Sequence, residues 1–164
     1  MSEAPGGGQD SRSDEDRRVG SGPQPPDGDT YSWYRRGLDL LSRGSAGAAA
    51  QLLQRAADAE PGSRSVLEAL GRAQFDAGRY AAAADSFRQI VEASPSDDYA
   101  HFGLGLALAR DGDPAAAAEH LALAAAMRPD LRHYTDALRG VRATLRARAG
   151  SEPPAPPPAG DTPR

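Results

Sequence analysis

Apolar side chains recur along the chain at steps of three and four residues, in short runs parted by glycine or proline. Ala49, Leu52, Leu53 and Ala56 follow this rhythm, which places them on one face of a helix. The pattern predicts helices over 31–42 and 46–59, broken at Gly44 and stopped by Pro61-Gly62, with Asp29 or Thr30 capping the first and Ser45 the second. It predicts another pair over 64–77 and 80–93 around Gly78, stopped at Pro95. A third pair starts behind Asp97 or Asp98 and breaks at Asp111-Gly112. It restarts with Asp113 as cap and Pro114 at the first helical position, where a missing N–H costs nothing, and stops at Pro129. Beyond it, Tyr134, Leu138, Val141 and Leu145 form a single apolar stripe on an otherwise arginine-rich helix of about 130–148.

The three pairs are copies of one unit. Pro61, Pro95 and Pro129 lie 34 residues apart, and the same step joins Gly37, Gly71 and Gly105; Gly44, Gly78 and Gly112; and Ala49, Ala83 and Ala117. Leu53, Phe87 and Leu121 repeat a large apolar residue on each second helix, and Ala56, Ile90 and Ala124 a smaller one. Gly37, Gly71 and Gly105 are expected to let paired helices approach closely, with Ala49, Ala83 and Ala117 facing them across the gap. A stack of such pairs leaves its last apolar face open, and the one-sided helix at 130–148 is suited to close it.

Composition sets the limits of this body. Residues 1–29 carry Val19 as their one sizeable apolar side chain, and residues from Gly150 onward are proline-rich without apolar periodicity, so both ends are expected to be disordered and solvated. The resulting division is 1–29 as an acidic Gly/Ser/Pro tail, 30–148 as the folded domain, and 149–164 as a Pro-rich tail. Within the domain the repeats are 30–63, 64–97 and 98–131, and the capping helix is 130–148. The run Asp14-Glu15-Asp16-Arg17-Arg18 and the Pro153-Pro154-Ala155-Pro156 stretch are read as a solvated leader and a spacer.

The formal net charge is −4, all nineteen basic residues are arginine, and only the last helix is locally basic, which argues against nucleic acid as a partner. Cysteine is absent, so disulfides, thiolate metal sites and Cys nucleophiles are ruled out. The longest apolar runs are too short for a membrane span, and the chain is expected to be cytoplasmic. His101, His120 and His133 fall on different helices without a metal-binding spacing, Gly103-Leu104-Gly105 lacks the rest of a dinucleotide fingerprint, and no serine sits in a nucleophile elbow. No catalytic residue, cofactor or metal is expected.

The period and its landmarks resemble the tetratricopeptide repeat, a helix-turn-helix unit with a Trp-x-x-Leu-Gly-x-x-Tyr opening, a later Ala-x-x-x-Phe and a closing Pro. Trp33, Gly37, Ala49, Leu53, Ala56 and Pro61 carry the likeness in the first unit. Leu70, Gly71, Gly78, Tyr80, Ala83, Phe87 and Pro95 carry it in the second, and Leu104, Gly105, Gly112, Ala117, Leu121, Ala124 and Pro129 in the third. Arg36, Leu67, His101 and Gln74 depart from the pattern. The resemblance implies an all-α, right-handed solenoid of three units plus a C-terminal cap, and a role as a non-catalytic protein-binding adaptor or scaffold.

It also implies a concave groove lined by the first helix of each pair. The groove positions fall on Tyr31, Tyr34, Leu38 and Leu41; Ser65, Glu68, Arg72 and Phe75; and Tyr99, Phe102, Leu106 and Ala109. Such a surface suits an apolar peptide or an amphipathic helix of a partner protein, with Arg72 and Glu68 setting register. The positions that grip a chaperone's terminal carboxylate in related proteins hold Tyr34, Leu38, Ala69, Tyr99 and Gly103 here, so that capture is not expected. Two other readings stand beside this one. Tyr34, Phe75 and Phe102 could pack on neighbouring helices, on the cap or under the N-terminal tail, or the groove or open end could bind a second copy of the chain.

Overall fold

The computed structural model describes residues 29–151. Among them are seven helices: α1 Thr30–Ser42, α2 Ala46–Ala59, α3 Arg64–Asp76, α4 Tyr80–Ala93, α5 Asp98–Asp111, α6 Pro114–Met127 and α7 Arg132–Gly150. The expected tails, including the charge run at 14–18 and the polyproline stretch, lie outside the described residues, except that Asp29 and residues 149–151 belong to the helical body.

Local chemistry sets the boundaries. Asp29 accepts from the Ser32 N–H at 2.8 Å, Asp97 from Ala100 at 2.9 Å and Asp113 from Ala116 at 3.0 Å, so three first turns have an orphan donor satisfied. Ser45 stands at the start of α2, but its hydroxyl makes no capping bond, contrary to expectation. Its carbonyl takes the Ala49 N–H instead. Gly44, Gly78 and Gly112 close the first helix of each pair in the left-handed region, at φ of 76, 74 and 101°. The last helix begins at Arg132 rather than 130. Arg128 has left the helical region ahead of Pro129 and its guanidinium clasps Asp130 through two bonds of 3.0 and 2.9 Å, leaving Leu131 as the cap. It then runs to Gly150, past the expected end at 148, because nothing before Pro153 breaks it.

Each helix packs on the next. In addition α1 touches α3, α3 touches α5 and α5 touches α7, whereas α2, α4 and α6 make no such contacts with one another. The odd-numbered helices therefore form a continuous inner row and the even-numbered ones are splayed outside it. That asymmetry makes the inner row the concave side of the solenoid. Cross-links at the helix starts hold the row together. Arg64 at the head of α3 is paired with Asp97 at the head of α5, and the Tyr134 hydroxyl of α7 donates to Asp98 of α5 at 2.9 Å. Burial acts to raise the Asp97 carboxyl, but Arg64 and the Ala100 N–H outweigh it and leave the group below the usual carboxylate range.

Leu53, Phe87 and Leu121 are buried in the core, with Ala49, Ala83 and Ala117 beside them. The repeat glycines serve these large side chains more than the alanines. A Cβ on Gly37 would lie 2.6 Å from Leu53 Cγ, one on Gly71 2.8 Å from Phe87 Cε2, and one on Gly105 2.6 Å from Leu121 Cγ. An alanine is among the nearest neighbours only at Gly105, where the Ala117 carbonyl oxygen lies 3.2 Å away. The expected glycine–alanine facing is thus corrected. Helices approach closely because a large residue on the second helix lies flat against the bare backbone of the first.

The structure also joins two histidines that the sequence placed merely on different helices. His101, 4% exposed, has its Nε2 3.0 Å from the Pro95 carbonyl, which can only accept, so that nitrogen carries the proton. Its Nδ1 is then the acceptor for the Nδ1–H of His120, also at 3.0 Å. Burial, and then the adjoining His101, lower the pKa of His120; Glu119 opposes the shift and Arg88 adds to it. The folded chain therefore takes up this proton less readily than the unfolded chain, which protonates at about 6.5. Stability from this pair is complete above that pH and is expected to fall as pH drops below it. Chemical denaturation at pH 7.5 and pH 5.5 should show a loss in wild type that His120→Gln reduces.

Candidate functional site

On the concave side, residues of α3, α4 and α5 line a recess of about 200 Å³. Five of the expected groove residues meet there: Arg72, Phe75, Tyr99, Phe102 and Leu106. Their helical spacing explains it. Arg72 and Phe75 stand on adjacent turns of α3, and Tyr99, Phe102 and Leu106 climb one face of α5. Asp76, Phe87 and Gly103 complete the lining, and none of the three was among the expected site residues.

Phe87 forms the floor. Its ring reaches in from α4 and lies against two glycines of different units, Gly71 behind it and Gly103 in front. Gly103 has no glycine counterpart one repeat earlier, where Ala69 stands. That departure was visible in the sequence and was the available signal for an extra opening at this point. Tyr99 approaches Phe87 edge-on, with ring centroids 6.3 Å apart, and Phe102 stacks on Tyr134 of the cap at 4.4 Å. Phe102 thus belongs to the recess wall and to the junction with α7 at once. Burial holds the Tyr134 phenol well above its ordinary pKa, and the bond to Asp98 adds to this, so the cap contact is made by a neutral hydroxyl.

Arg72 is exposed at the rim and makes no ion pair among the described residues; Asp76 stands one turn on. Burial raises the Tyr99 phenol, against the pull of the nearby Arg72 cation. The recess therefore offers an aromatic interior with one charge of each sign at its lip.

The remaining expected residues do not join it. Tyr31 is 67% exposed. Tyr34, Leu38 and Leu41 are half-buried against the core of the first two units, and Glu68 is paired with Arg64 at 2.9 Å. Among the described residues, no group of three or more His, Cys, Asp or Glu side chains is placed to hold a metal, and no helix is long and apolar enough to cross a membrane.

The profile of the tetratricopeptide repeat family matches residues 34–98 and, one unit on, 68–132. No curated protein matches the chain. Among solved structures, the first TPR of Spaghetti (RPAP3) bound to the HSP90 peptide SRMEEVD is 18% identical, with a TM-score of 0.67 over 71% of this chain and 93% of that one. The Sgt2 TPR domain from Aspergillus fumigatus is 20% identical, with a TM-score of 0.68 over 81% and 90% of the two chains. MamA from Desulfovibrio magneticus RS-1, residues 41 to the end, is 20% identical at a TM-score of 0.69 over 74% and 69%. At these identities the likeness is one of fold.

Proposed function

The chain belongs to the tetratricopeptide repeat family, and we propose that it is a non-catalytic protein-interaction module whose concave recess holds an apolar anchor from a partner's peptide or amphipathic helix. The observation that carries this reading is the convergence of Phe75, Phe87, Tyr99 and Phe102 on a recess of about 200 Å³, room for one large apolar side chain. Aromatic walls give such an anchor wide contact at little rotamer cost. Arg72 and Asp76 at the lip meet charges on either side of it and so set its direction. It supports the reading that a domain of the same shape, the first TPR of Spaghetti (RPAP3), is bound to an HSP90 peptide. An apolar anchor fits this recess better than a chaperone's terminal carboxylate, because the positions that would grip a carboxylate hold Tyr34, Leu38, Ala69, Tyr99 and Gly103.

Capture from lysate, with wild type beside an Arg72→Glu/Leu106→Glu double variant, tests the proposal. Arg72 is exposed and Leu106 half-buried in the recess wall, and circular dichroism is the check that the variant keeps its helices. Partners enriched by wild type should be lost from the variant. Equal capture by both proteins would rule out the concave recess as the binding site.

A further inference from the structure

Aromatic rings run in a row across the concave face. Phe75 meets Tyr80 edge-on with centroids 5.3 Å apart, Tyr99 stands 6.3 Å from Phe87 and 6.5 Å from Phe102, and Phe102 passes the row on to Tyr134 of the cap. Phe75, Tyr99 and Phe102 are only half-buried, so each leaves ring surface open at the recess. The polar side chains of the lining are few. Tyr99 and Arg72 can donate, neither has a hydrogen-bond partner among the described residues, and Asp76 stands at the lip. A surface of rings and donors suits a ligand whose backbone accepts hydrogen bonds without offering any. That is the property of a proline run, which has carbonyls but no N–H, is held in the polyproline II helix before it binds, and lays its rings on aromatic faces.

The chain carries such a run. Pro153-Pro154-Ala155-Pro156-Pro157-Pro158 begins three residues past the end of α7, beyond the described residues. Tyr134 ties the head of α7 to Asp98 at the head of α5, and near the other end Arg148 reaches the Gly112 carbonyl at 3.5 Å, so α7 lies along α5 and finishes beside its foot. From Gly112, Leu106 is about 9 Å back up α5, and Phe75 and Asp76 form the last turn of α3, the next helix across. With helices packed about 9 Å apart, the span from Ser151 to the recess is about 20 Å. Residues 152–158 cover about 22 Å in the polyproline II form. The leader's Pro25 and Pro26 cannot do the same. They lie within about 12 Å of chain from Asp29, short of a recess one helix across and about 12 Å below the helix heads.

We propose that the concave recess is occupied by the chain's own 153–158 segment, so that a partner gains it only by displacing this tail. The proposal rests on the reading of the recess as a binding site and says what holds that site in the free protein. Pro157 and Pro158 rest on Phe75, Tyr99 and Phe102, a prolyl carbonyl accepts from the Tyr99 hydroxyl, and Asp161, three residues further on, pairs with Arg72. A segment of weak intrinsic affinity suffices, because its tether holds it at an effective concentration of about a millimolar. A partner's apparent affinity is then reduced in proportion to the fraction of molecules whose recess is open.

The chain has no cysteine, so Thr162→Cys gives the full-length protein one attachment point for a nitroxide spin label. In the ¹⁵N-labelled chain the label should broaden the amide signals of Arg72, Phe75 and Leu106 and leave those of Gln51 and Gln54 on α2 unchanged. Pro156→Gly/Pro157→Gly/Pro158→Gly, which keeps the tail's length and charge, should abolish the broadening. In fluorescence polarisation, a synthetic 151–164 peptide should bind this triple variant about tenfold more tightly than wild type, whose own tail competes, and should not bind once Arg72→Glu/Leu106→Glu is added. The proposal is overturned if the recess amides are not broadened, or are broadened equally in the triple variant. It is overturned too if the broadening arises only between spin-labelled and ¹⁵N-labelled molecules mixed together, which would make a second copy the source of the tail. Absent broadening beside a partner captured by wild type and lost from Arg72→Glu/Leu106→Glu would remove the tail and keep the recess as a partner site; absence of both would remove the two readings together.

Discussion

Phe87→Ala is expected to lower the free energy of unfolding by about 3–5 kcal/mol in chemical denaturation, the largest loss of any single truncation in the domain. The side chain is 2% exposed and its ring fills the space left by two missing Cβ atoms, those of Gly71 in its own unit and Gly103 in the next. Leu53 and Leu121 are held by one such glycine each. Removing Phe87 therefore takes packing from the interface between repeats as well as from within one, and the glycines have no side chains with which to close the void. Phe87→Leu should recover part of the loss. In the same variant the floor of the concave recess is gone, so affinity for a recess-bound partner should fall in parallel. A loss below about 1 kcal/mol, the middle of the range for ordinary substitutions, would mean that α3 and α5 collapse into the space and that the ring is not the keystone described.

Gly105→Val is expected to cost about 3 kcal/mol, at the upper end of typical overpacking. Even the first added carbon would lie 2.6 Å from Leu121 Cγ and 3.2 Å from the Ala117 backbone oxygen. Leu121 is fully buried and the Ala117 oxygen belongs to α6 itself, so relief requires α5 and α6 to separate. Gly140 provides the control. It sits within α7 with nothing inside 4 Å of an added Cβ. Gly140→Ala should raise stability by about 0.5–1 kcal/mol, the helix-propensity difference between the two residues. Thermal or denaturant unfolding of the pair reads the contrast directly. Equal stability of the two variants would show that α5 and α6 do not depend on close approach at Gly105.

The groove was only half legible in the sequence, for a reason visible in its residues. Helical spacing placed Arg72, Phe75, Tyr99, Phe102 and Leu106 on the inner faces of two helices, and they meet there. The same spacing put Tyr31, Tyr34, Leu38 and Leu41 on the inner face of α1, but three of them are spent on core packing and Tyr31 stands outside. Periodicity reports which face a residue occupies, not whether a neighbour fills the space before it. Phe87 shows the converse. It was read as scaffold because it repeats, yet one additional glycine at position 103 lets its ring become part of the recess. The His101–His120 contact was hidden likewise, since its partners are 19 residues apart on separate helices and no local spacing joins them.

What the sequence determined by itself was the repeat and its grammar: three helix pairs at a step of 34, a cap at Asp113 and caps narrowed to Asp29 or Thr30 and to Asp97 or Asp98, glycine breaks at 44, 78 and 112, and a one-sided helix to close the stack. These are local properties, since a cap, a left-handed turn and an apolar stripe are each satisfied within a few residues of backbone. The tertiary structure alone decided where the solenoid is open and where it is closed. Ser86 and His120 occupy the same place in successive units, but the first borders an open cleft and the second meets the His101 ring. The difference depends on side-chain volumes contributed by helices that meet only after the units have stacked.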